Sequence, residues 1–317
     1  MAVYTTIDNP AEYFNVKLYS GSGSNTTVAH GLSGNAPDMF VIKRRNSTGG
    51  WINWNTGLTN NSYYMQWNNS DQQDNSTNNL QNTATTTTNI SIGDQAFTNA
   101  SGGTYVLYSW KESATAGFDI VSYTGTGSAR TVSHSLSAVP NWMIVKNIET
   151  GSKSWVVYHS ANTSAPETEY LLLDSNGATA DFAGYFNDTA PTSSVFTVGT
   201  GSDANASSDD FIAYLWRSVQ GYSKFGSFIG NSNASTGTFT YLGFRPSLVI
   251  IKGTSSSRWW SLQDDKRSPF NLIGDVLFAN TNGAEETNNS NYYIDFLSNG
   301  FKIRGSSVYT NNSGETY

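Results

Sequence analysis

Few residues of this chain can do covalent chemistry, and their spacing assembles none of the familiar reactive groups. It has no cysteine and three histidines, His30, His134 and His159. A metal site or a triad needs His beside further ligands, and no H-x-x-x-H or H-E-x-x-H spacing occurs. His30 and His134 recur at matching places in two similar segments, where Thr240 stands in a third, and they read as turn histidines. His159 follows a strand-like run and reads as a rim residue. A glycosidase would need paired carboxylates across a cleft. The doublets Asp209-Asp210, Asp264-Asp265 and Glu285-Glu286 do not supply a pair by themselves, because neighbours in a strand point to opposite faces. Asp71, Asp74 and Asp203 read as solvated loop residues, since no D-x-D-x-D-G loop accompanies them. Gly21-Ser-Gly-Ser lacks the helix that would follow a nucleophile elbow, and the other Gly-x-Gly turns lack a phosphate-loop context. Neither catalysis nor a cofactor is expected.

Aromatic doublets are the stronger candidates. Trp259-Trp260, Tyr63-Tyr64 and Tyr292-Tyr293 are read as strand neighbours, so one ring of each would enter the core and the other would face outward. The outward rings then offer a domain or subunit interface, or a platform on which a sugar stacks. Trp110 and Trp216 occupy matching places and are expected in the core.

The elements that must position these residues come in three copies, and such repetition is to be sought before any finer assignment. Tyr19-Ser-Gly-Ser-Gly leads to Pro37-Asp-Met-Phe-Val-Ile-Lys43. Tyr123-Thr-Gly-Thr-Gly leads to Pro140-Asn-Trp-Met-Ile-Val-Lys146, and Phe228-Ile-Gly-Asn leads to Pro246-Ser-Leu-Val-Ile-Ile-Lys252. Pro and Lys alike recur after 103 and then 106 residues. Ile92-Gly93 precedes Tyr105 to Trp110 by the interval that separates Val198-Gly199 from Phe211 to Trp216. In the third copy the pattern reaches Gly314-Glu-Thr-Tyr317, where the last strand should begin. Either the chain is truncated there or another chain supplies a strand edge.

Each copy reads as all-β. Trp142 to Lys146, Ser154 to Tyr158, Tyr170 to Leu173 and Phe211 to Trp216 are short β-branched and aromatic runs between Gly, Asn, Ser and Asp clusters, with no convincing helix. The proline starts the most apolar strand and the glycines permit positive φ in the turn. Phe211 to Trp216 is apolar almost throughout, so it is expected to be buried on both faces or to lie between domains. The expected architecture is three tandem antiparallel β-sandwich repeats, jelly-roll or lectin-like, each of about 100 residues. Residues 1–16 form an N-terminal docking arm led by Tyr4, Ile7 and Tyr13, followed by sandwiches at 17–116, 117–220 and 221–317. The Asn68 to Asn89 insert is the candidate mobile or partner-contacting loop.

Composition bounds the function. The 317 residues carry 13% charge, 14% aromatics and a net charge of -7. Charge is about half the ordinary level, yet the aromatics exclude a disordered chain. Basic residues cluster only at Lys43-Arg44-Arg45 and Lys266-Arg267, too little for phosphate recognition, so no nucleic-acid partner is expected. No apolar run is long enough to insert in a membrane, and the N-terminus lacks a secretory pattern.

Four stretches carry a resemblance that spans essentially the whole chain. They are Tyr4-Thr-Thr-Ile-Asp-Asn-Pro through Tyr19-Ser-Gly-Ser-Gly, Ser122-Tyr-Thr-Gly-Thr-Gly-Ser, Val139-Pro-Asn-Trp-Met-Ile-Val-Lys and Ser298-Asn-Gly-Phe-Lys-Ile. The chain resembles a family of repeat proteins of marine tailed bacteriophages, described as tail-fibre or capsid-associated virion proteins. Members similar to it continue past Gly-Glu-Thr-Tyr into an apolar strand. The resemblance implies a non-enzymatic virion structural protein, made in the host cytoplasm and then carried on the particle. It would be a surface fibre or a capsid decoration protein that serves assembly and adhesion, with other virion proteins as partners. A homo-oligomer, trimeric by analogy with fibres, is expected. A lectin-like module that binds a host surface glycan is the alternative.

Overall fold

A strand with apolar side chains at nearly every position needs cover on both faces, and the way Asp210–Trp216 finds that cover organises the molecule. The computed structural model describes residues 4–81 and 85–317. In the second repeat a six-stranded antiparallel sheet runs in the order Ala180–Asp181, Glu169–Leu172, Val156–His159, Trp142–Asn147, Asp210–Trp216, Phe118–Thr124. A two-stranded ribbon, Arg130–Ser133 with Val195–Val198, packs over it. Val132, Phe196 and Val198 of the ribbon meet Met143, Val145, Phe211 and Ala213 of the sheet. The alternate residues Ile144, Val157, Ile212 and Tyr214 turn the other way and join a central cluster with residues of the first and third repeats. Both expected reasons for the apolar strand hold together: one face packs inside the repeat, the other between repeats.

The first repeat has the same plan. Its sheet runs Phe14–Ser20, Thr104–Trp110, Met39–Arg44, Trp51–Asn55, Tyr63–Gln66, Asp74–Asn75, with the ribbon Thr26–Ala29 and Asn89–Ile92. We call Met39–Arg44, Trp142–Asn147 and Leu248–Ile251 the lysine strands. Trp51–Asn55, Val156–His159 and Ser261–Asp264 are the tryptophan strands, each following or beginning with Trp51, Trp155 or Trp260. Phe14–Ser20 and Phe118–Thr124 are the opening strands, and Thr104–Trp110 and Asp210–Trp216 are the closing strands, each inserted between an opening and a lysine strand.

The third repeat has the sheet Leu248–Ile251, Ser261–Asp264, Leu277–Phe278 and the ribbon Phe239–Tyr241, Gly300–Ile303, Ile294–Leu297. The chain is thus all-β and antiparallel, with a repeated unit; among the described residues the α-helices are one-turn pieces, Ala96–Asn99, Ala183–Phe186 and Ser202–Asn205.

One glycine role differs from expectation. In the Tyr-x-Gly-x-Gly turns only the second glycine, Gly23 or Gly127, has positive φ. The first is required by close approach: a Cβ on Gly21, Gly125 or Gly230 would lie 2.1, 2.0 or 2.3 Å from the carbonyl oxygen of Ala100, Ala206 or Asn312.

Candidate functional site

The three repeats are joined head to tail by one set of contacts used three times. Trp51 donates its indole N–H to the Phe278 carbonyl at 3.0 Å, Trp155 to the Gln66 carbonyl at 3.0 Å, and Trp260 to the Leu172 carbonyl at 2.9 Å. The first repeat therefore contacts the third, the second the first, and the third the second. The equivalent lysines follow the same circuit. Lys43 donates to Asn282 O and to Gly49 O of its own repeat, Lys146 to Ser70 O and Lys153 O, and Lys252 to Asn176 O, Gly177 O and Arg258 O. Each ammonium also lies 5.7 to 5.9 Å from the centroid of its repeat's tryptophan. Burial pulls Lys43 and Lys146 down to about 8 and Lys252 to about 7. A heterologous contact whose rotation closes after three steps makes a ring, and here one chain makes all three steps.

The closing strands add a second circuit. Tyr214 of the second repeat donates to Asn53 Oδ1 of the first at 2.8 Å and accepts from Asn55 Nδ2 at 2.7 Å. Tyr108 of the first repeat donates to Asp264 Oδ2 of the third at 2.8 Å. Asn55 and Asp264 are each the fourth residue after the tryptophan of their repeat, and the corresponding residue of the second repeat is His159. Asp264 is buried and its carboxylate is held by Arg267, which also reaches Glu285 at 2.9 Å, while Glu285 pairs with Arg45 at 2.7 Å. Burial alone would raise the Asp264 carboxyl, but the Arg267 guanidinium outweighs it and holds the group below the usual range.

Within each repeat a buried asparagine pins the opening turn. The side-chain amides of Asn99, Asn205 and Asn311 donate to the carbonyls of Gly93, Gly199 and Gly305, and their Oδ1 atoms accept from the backbone N–H groups of Ser22, Thr126 and Asn231. Sequence reasoning passed over these residues, although their spacing, 106 and 106, is the most regular signal in the chain.

Tyr63-Tyr64 lies in the strand Tyr63–Gln66, with Tyr64 buried and Tyr63 half-buried, whereas the other two aromatic doublets do not behave as strand pairs. Trp259 and Trp260 precede their strand, and Tyr292 ends a 3-10 turn rather than lying in a strand. Trp260 and Tyr64 belong to the central core, with Tyr63 packed against it. Trp259 is half-buried and stacks on Tyr309 at 4.8 Å, in a satellite cluster shared with Tyr292 and Phe278. Tyr293 is half-buried and donates to Asn288. The fold therefore brings Trp259 and Tyr292 into one cluster, places Trp260, Tyr64 and Tyr63 in or against the extended central core, and exposes none of the six fully. Trp216 is buried and Trp110 is half-buried against Phe14 and Tyr108.

Of the arm, Ile7 is buried with Ala116 and Val219, joined by Tyr13 and Tyr222, and Tyr4 is half exposed with its hydroxyl on the Gly243 carbonyl. Residues from Phe14 onward already form the opening strand, and residues 1–3 lie outside the described residues. The 68–89 insert is partly outside them as well. Its first part supplies Ser70 O to Lys146 and Gln72 to the Gly151 N–H.

His30 bridges Thr86 O and the Leu32 N–H, as a turn histidine does, and His134 faces Thr192 O. The carboxylate doublets are divided among structural partners. Asp209 takes Asn147 and Thr150, Asp210 takes Thr124, Asp265 pairs with Arg245, and Glu286 takes Asn289. Glu112, which the sequence did not single out, is pushed to about 7 by burial and then by Asp119. Among the described residues no group of three His, Asp or Glu side chains could hold a metal ion.

A groove of about 660 Å³ opens at the third repeat, walled by Trp142, His159, Trp216, Phe225, Leu248 and Ile250.

The class these features define is a ring of three all-β repeats closed within one polypeptide. The chain belongs to the domain family of unknown function DUF7483, whose signature matches residues 3–114 and again 112–317. No curated protein and no solved structure matches it.

Proposed function

We propose that the chain is a non-enzymatic structural protein of a bacteriophage virion, a surface fibre or capsid decoration protein that serves particle assembly and adhesion. The observation that carries this reading is the use made of polar chemistry. The paired indoles, ammonium groups and buried carboxylates described above bind repeat to repeat, which suits a durable building block. Sparse charge agrees, because exposed ion pairs contribute little in salt water. The family resemblance of the motifs supplies the virion setting. Its partners would be capsid or tail proteins, and copies of itself if it forms a trimeric fibre.

Immunogold electron microscopy of purified particles, with label counted per particle, tests this. Dense label over the head is the result for a decoration protein, and sparse label at the tail or a protruding fibre is the result for host recognition. Particles without label would overturn the virion reading.

The lectin-like alternative is favoured by a different observation. Tyr241 is 59% and Phe239 44% exposed, with the Lys224 ammonium 5.4 Å from the Tyr241 ring centroid. Exposed rings of this kind can stack on a sugar face. Tyr241→Ala should then weaken cell or glycan binding with unchanged thermal unfolding. Trp260→Ala is unsuitable for that test because its ring is core.

A further inference from the structure

We propose that the groove of the third repeat is a β-strand acceptor, whose occupant is an extended segment of closing-strand sequence lying in the register that Thr316 and Tyr317 set. In the two complete repeats the closing strand starts beside the end of the opening strand, with Ser20 paired to Thr104 and Tyr19 to Tyr105, and Thr124 to Asp210 and Tyr123 to Phe211. In the third repeat Ile229 bridges Thr316, and Phe228 and Tyr317 exchange both backbone hydrogen bonds at 2.9 Å. Thr316 and Tyr317 thus stand where Thr104-Tyr105 and Asp210-Phe211 stand. The five positions beyond them correspond to Val106 to Trp110 and Ile212 to Trp216.

The groove lies where those five residues would run. Its floor includes Leu248 and Ile250 of the third lysine strand, which pairs with Ser261–Asp264 on one side only. The Asp265 N–H donates to the Ser247 carbonyl at 3.1 Å and sets the phase of that ladder, so alternation turns the N–H and C=O of Ile250 away from Ser261–Asp264 and toward the groove. On the opposite side, Ser223 to Ile229, equivalent to the opening strands, has no strand beside it before Phe228 among the described residues. The corresponding edges are fully paired in the other repeats.

The circuit of tyrosines specifies the occupant further. The first repeat's Tyr108 meets Asp264 and the second repeat's Tyr214 meets Asn55, so a tyrosine at the third of the five positions meets His159. His159 lines the groove, its Nδ1 accepts from the Ala161 N–H, and burial holds it neutral, down to about 4. That leaves its Nε2 for a hydroxyl. A tryptophan at the fifth position corresponds to Trp110 and Trp216, which pair with Met39 and Trp142, and would lie beside Leu248. The occupant is therefore an extended segment with aliphatic or small residues at positions one and two, Tyr at three and Trp at five. The recognition mode is β-augmentation: backbone hydrogen bonds hold the strand while side chains in alternate pockets select its sequence.

The test appends Ile-Ala-Tyr-Leu-Trp after Tyr317, followed by four lysines for solubility, and compares it with the unextended protein and with a scrambled extension. Amide exchange at Ile250 should slow at least about tenfold, and the His159 ring resonances should shift only in the extended protein. Replacing the added Tyr by Phe should keep the amide protection and abolish the His159 shift. Unchanged exchange at Ile250, or equal protection by the scrambled extension, would overturn the proposal.

Discussion

Burial of three ammonium groups is the most consequential residue-scale choice in this chain. Each of Lys43, Lys146 and Lys252 sits at or just past the end of its lysine strand and meets backbone carbonyls from two repeats. The ordinary lysine value is 10.5, whereas burial brings these to about 8, 8 and 7. Between about pH 8 and the unfolded value the unfolded chain binds more protons than the folded one, so stability rises with pH across that window. Above about pH 10 the sign reverses, because burial raises Tyr108 and Tyr214 and the unfolded chain loses tyrosine protons first. The urea midpoint should therefore be higher at pH 9.5 than at pH 7, and a flat or falling profile would refute this account. Lys146→Met should flatten part of the rise, and it should lower stability at pH 7 by about 1–3 kcal/mol because Ser70 O and Lys153 O lose their donor.

At the scale of the element, what holds a repeat's turns is a side chain that replaces backbone pairing. Asn205 is buried and satisfies Thr126 N–H, Ser128 O and Gly199 O at once. Asn205→Ala should cost about 2–4 kcal/mol, since buried polar groups are left without partners. Hydrogen exchange should quicken first at residues 125–128, ahead of the sheet. A second test uses the repeats as each other's controls. Where the third repeat has Asp264 and Arg267, the first has Asn55 and Leu58 in the same places after the tryptophan, and Leu58 is buried. Asp264→Asn alone leaves Arg267 with a weaker partner and should cost about 3 kcal/mol or more. Adding Arg267→Leu should recover most of that loss, since Glu285 keeps Arg45. Denaturant titration of both singles and the double gives the coupling energy, and simple additivity would contradict the equivalence.

For the molecule as a whole, the central cluster belongs to no single repeat. It draws Trp51 and Tyr108 from the first, Trp155 and Tyr214 from the second, and Trp260 and Leu262 from the third. A separated first repeat, residues 1–116, would expose that aromatic face to water. It should aggregate or populate a state lacking fixed near-ultraviolet dichroism. The intact chain should unfold in one calorimetric transition whose van't Hoff and calorimetric enthalpies agree. Three separate transitions, or a soluble and cooperatively folded fragment, would show that the repeats are independent beads.

The strands and their threefold recurrence were legible in the sequence because apolar runs, prolines, lysines and glycines at a fixed spacing are local signals. Trp142 to Lys146 and Phe211 to Trp216 lie within strands that run one residue further at one end. Two of the three aromatic doublets were misplaced for an equally local reason, while Tyr63-Tyr64 does lie in a strand. Doublet alternation applies only inside a strand, and Trp259 and Tyr292 sit in connections. What only the tertiary structure decided is that the copies close on one another. A tryptophan N–H and a lysine ammonium look alike whether they face solvent, their own repeat or a neighbour, and their carbonyl acceptors lie in other repeats, beyond the reach of any local pattern. The same closure sets His159 of the second repeat beside Leu248 and Ile250 of the third in one groove, a juxtaposition no local pattern outlines.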